Sequence, residues 1–270
     1  MEKSVKSEES EWPVVLVIPD VHGRDFWQNP VLDTLSNTDV PVVFLGDYLD
    51  PYQHEWADDV DPRRISIEMF KWILDLKKQN PDRITLLIGN HDCGYAINED
   101  ICCSRMDNRN KNEIKELFEQ NWDLFQLVVS KDIAGKHFLF SHAGILKGWA
   151  MMLWEKWTVN DPKFNIVDAL NNAWSVKDER IMNALGYYDY HRGWGGCPYG
   201  SPVWSDIRSW FNVKEEDTFG YNIVGHTQCQ SQPIILDTIA DLDCRKPFYI
   251  NNKGEIKEFC NPLTTESEIR

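Results

Sequence analysis

The sequence predicts an α/β fold, and three observations carry that prediction. Short, β-branched apolar runs occur at Val14-Val15-Leu16-Val17-Ile18, Val40 to Leu45 and Arg83 to Ile88, continuous enough to be strands buried on both faces. A helical stretch separates the second run from the third, and strand, helix, strand reads as a βαβ unit with parallel pairing. Each run is followed by a polar, ligand-bearing loop, the third carrying Asn90 and His91, and open α/β sheets gather ligands just beyond the carboxyl ends of their strands.

Residues 1–11 are charged and Ser-rich without periodicity, and are expected to form a disordered tail. Pro19 ends the first strand and leaves Asp20 and His22 in the loop that follows. The acidic stretch from Gln53 to Asp61 reads as an exposed loop. Asp61 then offers an N-cap, with Pro62 at the first helical position, where a missing N–H costs nothing. Ile65, Met69, Trp72, Ile73 and Leu76 recur at helical spacing until Asn80-Pro81 stops the pattern. Residues 93–125 break the alternation, with helical character around Ile114, Leu117, Phe118 and Trp122.

Phe125 to Ile133 and Lys136 to Ser141 read as two strands joined by a tight Ala134-Gly135 turn. Residues 148–200 start helical and become a loop rich in glycine and aromatics. Seven of the twelve tryptophans fall between Trp149 and Trp210; most belong in a core, and a few suit the rim of a pocket. Asn222-Ile223-Val224, Pro233 to Leu236 and Pro247 to Ile250 read as closing strands. With no internal repeat and no linker, residues 12–270 are expected to be one domain with insertions near 93–125 and 148–200.

A formal net charge of −15 argues against a surface for nucleic acid or anionic membranes. It leaves an anionic substrate open, because bound cations invert a local field. The seven cysteines are irregularly spaced and include no Cys-x-x-Cys pair, which fits free thiols in a reducing compartment. The polar start lacks the apolar stretch of a signal peptide, and no apolar run reaches membrane-spanning length. A soluble cytoplasmic protein is the expectation.

Chemistry concentrates in five clusters: Asp20-Val21-His22-Gly23, Gly46-Asp47-Tyr48-Leu49-Asp50, Gly89-Asn90-His91-Asp92, Ser141-His142-Ala143-Gly144 and Gly225-His226-Thr227. They hold four of the seven histidines. Any one alone reads as turn chemistry or a satisfied core histidine. Five in succession at strand ends point to one shared site. Imidazole, carboxylate and amide donors suit first-row divalent metals, and the set is large enough for two, an arrangement that hydrolyses phosphate esters.

In order and in form, these clusters resemble the calcineurin-like metallophosphoesterase superfamily, most closely the phosphoprotein-phosphatase branch and its bacterial relatives. The resemblance spans residues 20 to 226 and implies a sandwich of two mixed β-sheets flanked by helices. It implies that Asp20 and His22 bind a first metal, that Asp47 bridges two, and that Asn90, His142 and His226 bind the second. His91 would be the general acid or the stabiliser of the leaving oxygen, held by Asp50. The cofactors implied are two divalent ions, manganese, iron or zinc. The implied reaction is hydrolysis of phosphomonoesters, of small molecules or of phosphoprotein, by a metal-bound hydroxide.

The second cluster departs from the family pattern. An arginine and a glycine usually follow the residue equivalent to Asp50, and that arginine grips the substrate phosphate; here Pro51-Tyr52 stands instead. Asp92 also replaces the glutamate usual in eukaryotic members. A bidentate guanidinium is the side chain best shaped for the vacant task, and Arg192 and Arg105, in the two insertions, are the substrate-binding candidates, Arg192 first. Two other readings stay open: hydrolysis of a dinucleoside polyphosphate or a phosphodiester, and a non-catalytic metal-binding interaction module. Retention of His91 and Asp50 speaks against the module, since a structural metal site needs neither.

Overall fold

The computed structural model describes residues 11–98, 101, 103–193 and 196–259, so the expected tail at 1–11 lies outside the described residues except for Glu11. The strands are β1 (Pro13–Ile18), β2 (Val42–Phe44), β3 (Ile84–Leu87), β4 (Phe125–Gln126), β5 (Val129–Ile133), β6 (Lys136–Phe140), β7 (Tyr221–Val224), β8 (Ile234–Ile235), β9 (Ile239–Asp241), β10 (Phe248–Asn251) and β11 (Ile256–Glu258). The helices are α1 (Gln28–Asn37), α2 (Pro62–Gln79), α3 (Asn90–Ala96), α4 (Lys111–Gln120), α5 (Lys147–Ala150), α6 (Lys156–Val159), α7 (Ile166–Ser175) and α8 (Glu179–Leu185). One sheet has the order β11-β10-β1-β2-β3-β4 and the other β5-β6-β7-β9-β8. β1 to β4 run parallel, as do β6, β7 and β9, with antiparallel strands toward the edges.

The continuous apolar runs follow from this layering. Leu16, Ile18, Val42, Phe44 and Leu86 face the helices, where they meet Val31 of α1, Phe70 of α2 and Phe118 of α4. Their neighbours Val15, Val17, Val43 and Leu87 face the second sheet and pack on Phe138, Phe140, Ile223 and Leu242. A strand covered on both faces needs apolar side chains at every position. The result is the expected sandwich of two mixed sheets flanked by helices.

Three local expectations change. The stretch Phe125 to Ile133 is not one strand: β4 pairs with β3 in the first sheet, and β5 pairs with β6 in the second. At the corner, Leu127 and Val128 donate their N–H groups to Asn171 Oδ1 of α7 (3.1 and 3.3 Å), and Asn171 Nδ2 donates to the Val128 carbonyl (2.8 Å). A single side chain therefore satisfies the backbone where the chain changes sheets, as buried peptide groups require. The buried stripe of α2 is rotated from the expected one: Ile67, Phe70, Ile73, Leu74 and Leu76 are buried, while Ile65, Met69 and Trp72 flank them. Its start is as expected, with Asp61 accepting from Arg63 N and Arg64 N, a cap worth about 1 kcal/mol. Finally, Asn90 and His91 open the helix α3 rather than lying in a loop.

Parallel strands from both sheets end on one side of the sandwich, so the loops carrying the five clusters meet there. Backbone bonds tie them together: His22 N to Asp47 O (2.7 Å), Gly23 N to Tyr48 O (3.0 Å) and Gly225 N to His142 O (2.9 Å).

Candidate metal centre

The strand-end loops turn tightly enough to force unusual backbone. Among the described residues, His22, Asp47, Asp50, Arg105 and His226 all have φ between 45° and 74° without being glycine. Such left-handed residues cost roughly 1–3 kcal/mol each and persist where the surroundings over-determine them. Glycine is needed where loops touch: a Cβ on Gly89 would lie 2.1 Å from Asp47 Oδ1, and one on Gly225 would lie 2.1 Å from Asp20 Oδ1.

Each carboxylate is held by a neighbouring loop through one oxygen. Asp47 Oδ1 accepts from His91 N (2.9 Å), and Asp20 Oδ1 accepts from His226 N (2.9 Å). That leaves Oδ2 of each pointing inward. Asp47 Oδ2 lies 3.5 Å from His22 Nε2 and 3.6 Å from His142 Nε2, so one oxygen is within reach of both histidines. Asp20 Oδ2 lies 4.0 Å from His22 Nε2. Asn90 Oδ1 is 2.9 Å from His142 Nε2 and 2.8 Å from His226 Nδ1, and those two ring nitrogens are 3.1 Å apart. The six residues expected as ligands thus surround one space, and all are buried.

The tautomers fit a cation. His22 Nδ1–H donates to the Leu49 carbonyl (2.7 Å) and His142 Nδ1–H to the Leu45 carbonyl (2.9 Å), which turns a lone pair at each Nε2 inward. Asn90 Nδ2 is turned away toward Cys103 Sγ (3.1 Å), so its oxygen also faces in. Lone pairs converge at 2.9–3.6 Å between His142, Asn90 and Asp47, an arrangement a divalent cation relieves. Burial first, then His91 and Arg24, holds His22 well below the usual histidine range; burial first, then Arg192 and His142, does the same to His226. Both are therefore neutral imidazoles, the ligand form. Burial pushes the Asp47 carboxyl up to about 7, with Asp20 adding to it and His91 opposing. Two clusters whose donor atoms all lie within 4.8 Å, His22–Asp47–His91 and Asp20–Asp47–His142, share Asp47.

His91 belongs to a different circuit despite its place in the first cluster. Its Nδ1–H donates to Asp50 Oδ2 (2.7 Å), while Asp50 Oδ1 accepts from Tyr95 OH (2.5 Å) and Tyr95 OH accepts from Asp107 N (2.6 Å). Arg105 stands beside it: Nε donates to the Asp50 carbonyl (3.1 Å), one terminal nitrogen is 3.4 Å from His91 Nε2, and the guanidinium lies 3.7 Å over the Tyr52 ring. Arg192 comes from the other side, bound to Asp206 (2.7 Å) and to Thr227 Oγ1 (2.7 Å) next to His226. Of the two arginines, Arg105 is the one that touches His91.

A family model described as calcineurin-like phosphoesterase matches residues 13–230. The chain belongs to that family. Within this calcineurin-like phosphoesterase, a stretch of 78 residues is 35% identical to a probable serine/threonine-protein phosphatase of Encephalitozoon cuniculi. It covers 29% of this chain and only 15% of that relative. The fold is similar to a cold-active protein-tyrosine phosphatase of a psychrophilic Shewanella, with 17% identity and a TM-score of 0.50, over 90% of this chain and 79% of that one. Another structure of a cold-active protein tyrosine phosphatase gives 18% identity and a TM-score of 0.50 over 90% and 78%.

Sequence reasoning missed four residues of this phosphoesterase site. Asp92, noted only as a replacement for glutamate, accepts from Asp47 N (2.8 Å), Tyr48 N (3.2 Å) and Gly89 N (2.8 Å), and so fixes two of the loops. Tyr95, one helical turn beyond His91, was available from its spacing. Asp241 and Asp243 had no signal at all, because β9 is three residues long and was not foreseen. Register sets Val224 opposite Asp241, at the end of β7 that leads to His226. Both carboxylates are buried, and among the described residues Asp241 Oδ2 and Asp243 Oδ1 have no hydrogen-bond partner. Of the tryptophans, Trp149, Trp174 and Trp210 are core, Trp204 stands 5.7 Å edge-on to His226, and Trp194 lies outside the described residues.

Proposed function

We propose that this protein is a two-metal phosphomonoesterase. One observation carries the reading: Asp47 Oδ2 faces both His22 Nε2 and His142 Nε2 beside a His91–Asp50 pair. In this reading Asp20, His22 and Asp47 hold a first divalent ion and Asp47, Asn90, His142 and His226 a second, with manganese, iron and zinc as candidates. When bound, the ions supply Lewis acidity and lower the pKa of a water. The chain does the rest. Asp50 accepts the Nδ1–H of His91 and stabilises its protonated ring, so that Nε2 hands a proton to the leaving oxygen. Arg105, next to that nitrogen, takes phosphate oxygens, with Arg192 on the opposite side as a second clamp.

Phosphoprotein is the preferred substrate class, supported by the stretch shared with a probable serine/threonine-protein phosphatase. We read residues 12–270 as one domain. The free thiols of Cys93, Cys197, Cys229 and Cys244 and the absence, among the described residues, of a helix long and apolar enough to cross a membrane favour the cytoplasm. Purified protein should be stripped with a chelator, reloaded with each metal, and assayed on p-nitrophenyl phosphate, a phosphoserine peptide, bis-p-nitrophenyl phosphate and a dinucleoside tetraphosphate. Metal-dependent cleavage of the two monoesters should lead. Turnover of the dinucleotide alone would move the protein to phosphoanhydride hydrolysis, and bound metal without any turnover would make it an interaction module.

A further inference from the structure

Arg105 faces two ways. On one side it touches His91 and the Asp50 carbonyl. On the other it lines an open groove of about 430 Å³, together with Asp61, Arg63 and Arg109. Three guanidinium groups in one groove are unusual on a chain whose formal net charge is −15. Several other arginines meet carboxylates directly: Arg64 with Glu113 (2.7 Å) and Glu68, Arg208 with Asp206 (2.8 Å), and Arg245 with Glu55 (2.8 Å).

In the groove the counter-charges are turned away. Asp61 caps α2 through Arg63 N (3.2 Å) and Arg64 N (3.4 Å). Asp107 is 3% exposed and accepts from Arg109 N (3.0 Å), Asn110 N (3.2 Å) and Asn110 Nδ2 (2.7 Å). Arg63 reaches that carboxylate only at 3.9 Å, and its side chain is 45% exposed. Among the described residues the exposed Arg109 guanidinium has no ion pair or hydrogen bond. The groove therefore runs outward from Arg105, which touches the proposed proton donor, past Arg63, paired only loosely, to Arg109, unpaired among the described residues.

Resting on the phosphomonoesterase reading, we propose that this groove binds the acidic flank of a phosphopeptide, whose carboxylates meet Arg63 and Arg109 while Arg105 holds the scissile phosphate. A peptide fits better than a nucleotide: the groove is open, and among the described residues that line it there is no aromatic face on which a base could stack. Exposed ion pairs are individually weak, so two or three carboxylates should raise kcat/KM about three- to tenfold, through KM. Screening should erase the gain at high salt.

The test compares two phosphoserine peptides that differ only in glutamate against glutamine on one flank, in the metal-loaded wild type and in Arg63→Gln/Arg109→Gln. Turnover of p-nitrophenyl phosphate monitors the chemistry. The wild type should favour the acidic peptide at low salt, and the double variant should lose that preference with p-nitrophenyl phosphate kinetics unchanged. Equal kcat/KM for the two peptides in the wild type, or a preference that survives in the double variant, overturns the groove assignment while leaving the phosphatase reading intact. A double variant impaired only on a dinucleoside tetraphosphate overturns the peptide as occupant. Absence of p-nitrophenyl phosphate turnover in the wild type identifies failure of the phosphatase reading instead.

Discussion

The two halves of the candidate metal centre are built by opposite means. Around His142, three neutral donors from Asn90, His142 and His226 crowd to within 2.8–3.1 Å of one another. Around His22 the donors stand further apart, at 3.5–4.0 Å, and two are carboxylates. The His22 half is also the more acidic in its surroundings: the carboxyls of Asp241 and Asp243 are pushed well up by burial, and Asp20 adds to both shifts. Charge is the lesson. The half poor in formal charge has rigid, converged ligands, whereas the half rich in carboxylates leaves more room and more unbalanced charge. A single loop serves both, since the carbonyls of Leu45 and Leu49 orient one histidine on each side.

The largest effect should come from the residue the halves share. Asp47→Asn replaces an oxygen that faces both histidines with an amide, a poor bridge. Turnover should disappear, and metal analysis should show fewer ions than in the wild type. Full metal content with near-normal turnover would separate the halves and break the comparison.

His91→Ala tests a group that stands outside both metal sets. Loss of a general acid costs about 10²–10⁴-fold in kcat on a phosphoserine peptide, with metal content retained. The loss should shrink on p-nitrophenyl phosphate, whose leaving group needs little protonation. An equal loss on both substrates would remove the acid role and return His91 to the His22 half.

Metal affinity should depend on pH through Asp47. Its carboxyl, raised to about 7, is neutral below that pH, and a cation needs the carboxylate. Affinity is therefore fully present above pH 7 and falls as pH drops, by about tenfold per unit for one competing proton. His22 and His226 add no slope in this range because both are held neutral. Calorimetric titration with manganese between pH 5.5 and 8 reads the slope. A flat profile would show that Asp47 is ionised in the metal-free protein, contrary to its burial.

Tyr95→Phe should have the smallest effect. It removes one hydrogen bond to Asp50 without touching either half, a loss of about 1 kcal/mol or roughly fivefold in kcat. Bound metal should not change. A fall in metal content would mean that the His91–Asp50 circuit and the metal sets are mechanically one unit.

The sequence by itself determined the parts that local patterning encodes. Fully apolar runs named the doubly covered strands, Asp61-Pro62 named the start of α2, and the five clusters named the carboxylates, imidazoles and amide that meet at the strand ends. Tertiary structure decided the rest. Whether Phe125 to Ile133 was one strand or two depended on Asn171, a residue 43 or 44 positions away that satisfies the corner. The buried face of α2 was set by the sheet it covers, because periodicity fixes the width of a stripe but not its rotation. Asp243 came to the site through β9, whose three residues carry too little pattern to be seen. Arg105 became the arginine that touches His91 because Asp50, Tyr52 and a left-handed backbone aim it there. Each of these outcomes rests on contacts between residues distant in sequence, and a linear pattern holds no record of who meets whom.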